Sequence, residues 1–225
     1  MTDDDIDHAI ASALAQPGDA GLDGLDAVRE RVERARDAAD PALGRLWDAL
    51  VRIAQRAGDR VDDQLALAEG RVRWLQAARG PTHPDTLDAW SDLGEAADLE
   101  GAHDVAARAW EALVGAPVAG APGPAHARLS RALRGLAGRR LAAGRNAEAR
   151  ALFERDLATN EALHPGGHPQ LALSLGNLAL VAERLGERER ARALRERQRA
   201  VLVAAGGAPS QLGPVDAHLA RLRAP

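Results

Sequence analysis

The chain has 225 residues, 46% hydrophobic and 28% charged, enough for one large domain or two small ones with a real core. Its 33 acidic and 29 basic residues leave a net charge of −4, so no basic field exists to draw nucleic acid or an anionic membrane. Cysteine, lysine and tyrosine are all absent, which excludes disulfide frameworks, thiolate zinc sites, thiol nucleophiles, Schiff bases and lysine-dependent phosphate loops. Every basic residue is therefore arginine. That usage, together with abundant alanine, points to a GC-rich bacterial gene and says nothing of function.

The start, Met1-Thr-Asp-Asp-Asp-Ile-Asp, is acidic where a secretory signal needs a basic region and an apolar core. No window approaches the ~18 uninterrupted apolar residues of a membrane span, so the expected location is cytoplasmic. Strand signals are nearly absent, while alanine, leucine, arginine and glutamate favour helix. In chain order, helices are expected over about 5–15 and 23–39, the latter with an apolar stripe of Leu25, Val28, Val32, Ala35 and Ala39. Pairs follow at about 41–57 and 60–78, 84–100 and 102–115, 125–143 and 145–163, and 169–185 and 187–204. Residues 116–124 and 206–210 read as loops, and a short helix is expected near 214–223.

These pairs repeat. His83-Pro84 is followed by Leu93, Gly101 and Ala106, and His168-Pro169 by Leu178, Gly186 and Ala191 at the same spacings. Between them lie His126, Leu136, Gly144 and Ala149, and before them Asp40-Pro41, Leu50 and Gly58. A proline at the start costs a helix nothing, since its missing N–H would be unpaired there. A glycine at the end supplies the positive φ that turns the chain into the next helix. A period of 42–43 residues with this punctuation is a helical-hairpin repeat.

The pattern resembles the tetratricopeptide repeat, in the longer variety found in kinesin light chains. Ala149-Arg-Ala-Leu-Phe-Glu-Arg-Asp-Leu followed by His168-Pro and Ser174-Leu-Gly-Asn-Leu-Ala179 carries the resemblance best. It implies an all-α, right-handed α-α superhelix of helical hairpins. The chain then divides into an N-terminal helical cap (1–40), four repeats (41–83, 84–126, 127–168 and 169–204) and a linker with a short capping helix (205–225). Trp47, Trp90, Trp110 and Phe153 fall on repeat positions and are expected to anchor first helices against second ones.

In such a superhelix the first helices line a concave groove. Counting back from each glycine places there Arg45, Asp48, Ala49, Arg52 and Gln55, then Asp88, Ser91, Asp92, Glu95 and Asp98. Arg131, Arg134, Gly135, Gly138 and Leu141 follow, then Leu173, Gly176, Asn177, Leu180 and Glu183. The binding candidates are Arg45, Arg52, Asp88, Asp92, Glu95, Arg131, Arg134, Asn177, Leu173 and Leu180. The resemblance implies that an Asn at position 177 holds the backbone of an extended peptide; Ala49, Asp92 and Gly135 replace it elsewhere. Arg131 and Arg134 either grip a carboxylate or pair with Asp88, Asp92 or Glu95. The helical glycines Gly135 and Gly138 invite close approach by a ligand or a neighbouring helix.

Other chemistry finds little foothold. His164-Pro-Gly-Gly-His168 lacks the helical register and the third ligand of a metal site, and no nucleophile elbow or phosphate loop occurs. No catalytic residue, metal or cofactor is expected. The run Glu187–Arg199 reads as the solvated side of a helix whose apolar residues are Ala191, Leu194 and Val201. The expected function is a non-catalytic adaptor or regulator that binds a protein or peptide in the groove, with neither nucleic acid nor membrane as partner. The alternative is a small molecule, sequestered or turned over, in an arginine-rimmed pocket closed by the N-terminal helices. Self-association into a homodimer is a third expectation, because residues 206–225 form a weak end cap.

Overall fold

The computed structural model describes residues 1–17, 20–35, 40–57, 61–118, 123–165 and 168–223. Among them are eleven α-helices: α1 Asp3–Ala15, α2 Leu22–Ala35, α3 Pro41–Ala57, α4 Val61–Arg79, α5 Pro84–Leu99, α6 His103–Gly115, α7 Pro124–Ala142, α8 Asn146–Leu163, α9 Pro169–Arg184, α10 Arg188–Ala204 and α11 Pro209–Arg223. No strand occurs among the described residues. The chain forms two compact units, Met1–Ala109 and Trp110–Pro225, whose boundary falls within α6.

The helix ends follow their punctuation. His83 and His168 are N-caps whose Nδ1 atoms accept from the backbone N–H of Asp85 and Gln170, each at 3.2 Å. The His-Pro pair is thus a cap followed by a residue that needs no hydrogen bond. The third repeat departs from this. α7 begins at Pro124 behind Gly123, so His126 lies inside the helix rather than capping it. Gly101, Gly144 and Gly186 hold φ of 71°, 73° and 75°, the left-handed conformation that a side chain disfavours. Around each, the same pair of bonds closes a Schellman turn: Ala102 N–H to Ala97 C=O with Gly101 N–H to Asp98 C=O, and its equivalents from Arg145 and Glu187. Gly58, the corresponding residue of the first repeat, lies outside the described residues, as does Ala39.

Two expectations need correction. The C-terminal helix starts at Pro209, five residues ahead of its expected start, and carries Pro214 inside it. Pro214 is the sixth residue of the helix, past its first turn, so the bond that an N–H there would make to the Ser210 carbonyl is missing. The loop expected over 116–124 yields its last residue to α7, and residues 119–122 lie outside the described set.

In unit 1, α1 and α2 both pack on α3, α3 on α4, and α4 on α5. The core joins Ile6, Leu25, Val32, Leu43, Leu46, Leu50 and Ile53, all at most 2% exposed. Each such side chain contributes about 1.5–3 kcal/mol on leaving water. α3 and α4 meet through an exchange of ring for glycine. Trp47 of α3 lies over Gly70 of α4, and Trp74 of α4 over Gly44 of α3; a Cβ at either glycine would stand 2.2 or 2.5 Å from the ring. In unit 2, Ala137, Leu141, Ala149, Phe153, Leu178 and Val181 form one cluster. Ala172, Leu202, Val215 and Leu219 form a second, which seats α11 on the last hairpin.

Candidate functional site

In unit 1 the first-helix face of α3 is covered. Arg45 donates from Nε to Asp7 of α1 at 2.9 Å and approaches Asp3 at 3.6 Å. Arg56 donates twice to the Leu14 carbonyl, both bonds 3.2 Å long, at the end of the same helix. Arg45 and Arg52 line a cavity of about 350 Å³ with Ala49, Ile10 and Leu14. Arg52 is exposed and Arg45 half-buried. The acidic face of α5 is met by an arginine that spacing did not place there. Arg71 of α4 donates to Asp48 at 2.7 Å and to Asp92 at 3.2 Å, tying both carboxylates together. Asp88, Asp92 and Glu95 are exposed, whereas Ser91, counted as a groove residue, is buried at 4%.

Within unit 2, Arg134 has partners that spacing did not name. Its Nη1 donates to Ser130 Oγ at 2.7 Å and lies 3.4 Å from Asp156 Oδ1, one helix away on α8. Asp156 is wholly buried and answered on every side. Ser130 and Ser174 each donate a hydroxyl to it at 2.6 Å, and Asn160 Nδ2 donates at 2.9 Å. Asn160 also donates to Ser130 at 2.8 Å and to Ser174 at 3.0 Å. Five polar side chains from α7, α8 and α9 thus form one closed network. A buried carboxylate is tolerable only when paired and hydrogen-bonded, and here it is both. Its signal in the sequence was slight: the corresponding places of the other repeats hold the uncharged Gly70, Leu113 and Gln198.

Around this network lie the remaining candidates. Arg131 is exposed. On α9, Leu173 is 47% exposed. Asn177 and Leu180 follow on the same side at helical spacing, both half-buried. The Asn177 side chain makes no hydrogen bond with any described residue, whereas Leu180 partly packs against the Ala137–Phe153 cluster. Leu141, also counted as a groove residue, is buried in that cluster. Gly135 does accommodate a neighbour: a Cβ there would lie 2.5 Å from Trp110 Nε1. Gly138 faces open space.

The large aromatics divide. Trp110 is 2% exposed, Phe153 3% and Trp47 7%, as anchors should be. Trp90 and Trp74 are only half-buried. His164 and His168 stack with ring centroids 4.1 Å apart. On α10 the expected solvated charges include one that is buried. Arg195 is 8% exposed and donates to Glu183 at 3.3 Å and to Gln198 at 3.0 Å. Its neighbours Arg190 and Arg197 reach across to Glu154 and Glu161 of α8, each at 2.5 Å. The hydrogen bond to Glu154 raises the Arg190 guanidinium pKa above its ordinary value.

No protein-family model and no curated protein sequence matches the chain. Solved structures do. Kinesin light chain nearly identical TPR-like repeats from Podosopora anserina are 24% identical over 82% of this chain and 87% of theirs, with a TM-score of 0.61. A variant of the same repeats gives 23% identity and a TM-score of 0.62 over 83% and 87%. BtubC (BKLC) from P. vanneervenii, 19% identical, has a TM-score of 0.62 and covers 96% of this chain and 82% of its own. The fold is therefore all-α and tetratricopeptide-like, a repeat architecture of helical hairpins. No described helix is long and apolar enough to cross a membrane.

Proposed function

We propose that the chain is a non-catalytic adaptor or regulator that binds a protein or peptide on the face carried by its first helices. The observation that carries this reading is on α9. Asn177 offers an amide with no partner among the described residues, flanked at helical spacing by the exposed Leu173 and by Leu180. An amide that both donates and accepts suits the backbone of an extended segment, and leucines one turn either side suit its apolar side chains. Arg131 supplies an exposed cation to the same unit, while Arg134 serves the buried network instead. The cap at 1–40, the four repeats at 41–204 and the tail at 205–225 are part of this proposal, as are a bacterial origin and a cytoplasmic location.

The test uses surface variants that leave the Asp156 network intact. Tagged wild type, Asn177→Ala, Leu173→Ser and Arg131→Ala are used to capture partners, and recovered partners are titrated against each by calorimetry. Loss of at least about 1 kcal/mol in Asn177→Ala or Leu173→Ser is expected of residues at the centre of an interface. Unchanged affinity in all three variants removes α9 and Arg131 from the binding account.

A further inference from the structure

On the opposite side of α3 from the α1 contact, unit 1 holds a cavity of about 730 Å³ between α2, α3 and α4. That size is typical of sites for small organic ligands. Trp47 and Trp74 wall it, and Leu43, Leu50 and Leu67 give it an apolar lining. Each ring rests on a glycine of the facing helix. Both indole nitrogens are buried with no acceptor among the described residues. Nearly all buried donors in proteins are paired, and an orphaned one costs about 1–3 kcal/mol. Two orphans in the walls of one cavity point to an acceptor that the described residues do not provide.

The charges at the rim are nearly all answered. Arg29 lies over the Trp47 ring at 4.6 Å and is pinned by Asp26 at 2.7 Å and Glu33 at 2.5 Å. Burial opposes its charge, but those two carboxylates outweigh it and raise the pKa above its ordinary value. Arg29 is thus part of the wall rather than a free cation. At the edge Arg73 lies 3.9 Å from Glu69 and Asp23 is exposed to water, so the lining asks for no charge on its occupant. We infer that this cavity binds an uncharged, mostly apolar small molecule carrying a carbonyl-type acceptor, which the indole N–H of Trp47 or Trp74 meets after a small rotation of the ring. The site is separate from the helix face described above, and stands or falls without it.

Prodan, an uncharged naphthyl ketone whose emission moves to the blue in apolar surroundings, is a suitable probe. Titrated into the full chain, it is expected to show saturable, blue-shifted emission and to quench tryptophan fluorescence. Ala66→Phe blocks the cavity from an exposed lining position of α4, and Ala77→Phe does so from another. Each should weaken binding by about tenfold or more, with an unchanged melting curve. Trp74→Phe keeps a ring and removes the N–H, and should weaken binding several-fold. Arg197→Ala, exposed on α10, should leave it unaltered. Absence of saturable binding up to the solubility of prodan overturns the site, as does wild-type affinity in a folded blocking variant. Full affinity in Trp74→Phe and Trp47→Phe together overturns the role of the indole donors.

Discussion

Gly135 and Gly138 lie one turn apart on α7, and replacing each by alanine should move stability in opposite directions. In a helix interior alanine is favoured over glycine by about 0.5–1 kcal/mol. Nothing stands within 4 Å of a Cβ at Gly138, so Gly138→Ala should gain that amount in full. At Gly135 the new atom would lie 2.5, 2.6 and 2.8 Å from three atoms of the Trp110 indole, whose side chain is 2% exposed and closely enclosed. Relief requires the ring or the helix to move by roughly 1 Å, and overpacking of this kind costs about 1–3 kcal/mol. The helical gain offsets part of it, leaving a net loss of about 0.5–2 kcal/mol. For a chain of this size 1 kcal/mol corresponds to about 2–4 °C in melting temperature. Thermal melts followed by circular dichroism should therefore place the variants on either side of the wild type. A double-mutant cycle with Trp110→Phe, read by urea denaturation, should recover much of the Gly135→Ala loss. A rise in melting temperature for both variants would refute the steric account of Gly135.

Other perturbations follow from the same geometry. Asp156→Ala leaves Arg134 partly buried without its partner and strands two hydroxyls and an amide, so urea denaturation should show a loss of about 3–5 kcal/mol. Asp156→Asn, which keeps the shape, should lose less. Trp110→Ala should cost about 3–5 kcal/mol as a full truncation of a buried ring, and Trp90→Ala clearly less, because Trp90 is only half-buried. Equal losses would contradict the packing described. The Asp5 carboxylate accepts the Thr2 backbone N–H in the α1 capping box, and that bond, with the Thr2 side chain, holds its pKa below the ordinary value. What it adds to folding is present above that ordinary value and lost as pH falls through the lowered one. Carboxyl chemical shifts recorded against pH should show Asp5 titrating lower in the wild type than in Thr2→Gly.

The helices were legible because local chemistry sets their ends. Proline and glycine act on the backbone of their immediate neighbours, so Pro41, Pro84 and Pro169, with Gly101, Gly144 and Gly186, fixed most boundaries to within a residue. Where the mark was ambiguous the reading slipped: Pro214 looked like a start and lies inside α11. The site was less legible for a different reason. Counting back from a glycine gives the direction of a side chain but not its partner. Arg134 was counted into the groove, yet Asp156 on α8 claims it. Arg71 lies on a second helix, outside any count of groove residues, and still ties Asp92 to Asp48. Trp74 had no place in the repeat at all, because the glycine that receives it, Gly44, is set thirty residues away by packing alone.

The turns at Gly101, Gly144 and Gly186 also bear on how the chain finds its fold. Each reversal is closed by backbone bonds between residues no more than five apart along the chain. The entropy of loop closure is therefore small at every turn, and a hairpin can form before anything distant has arrived. Assembly can then begin at any hairpin and spread to its neighbours. The buried Asp156 network gives that spreading a checkpoint. Until α7, α8 and α9 stand together, its carboxylate stays in water, and only their joint arrival makes its burial tolerable.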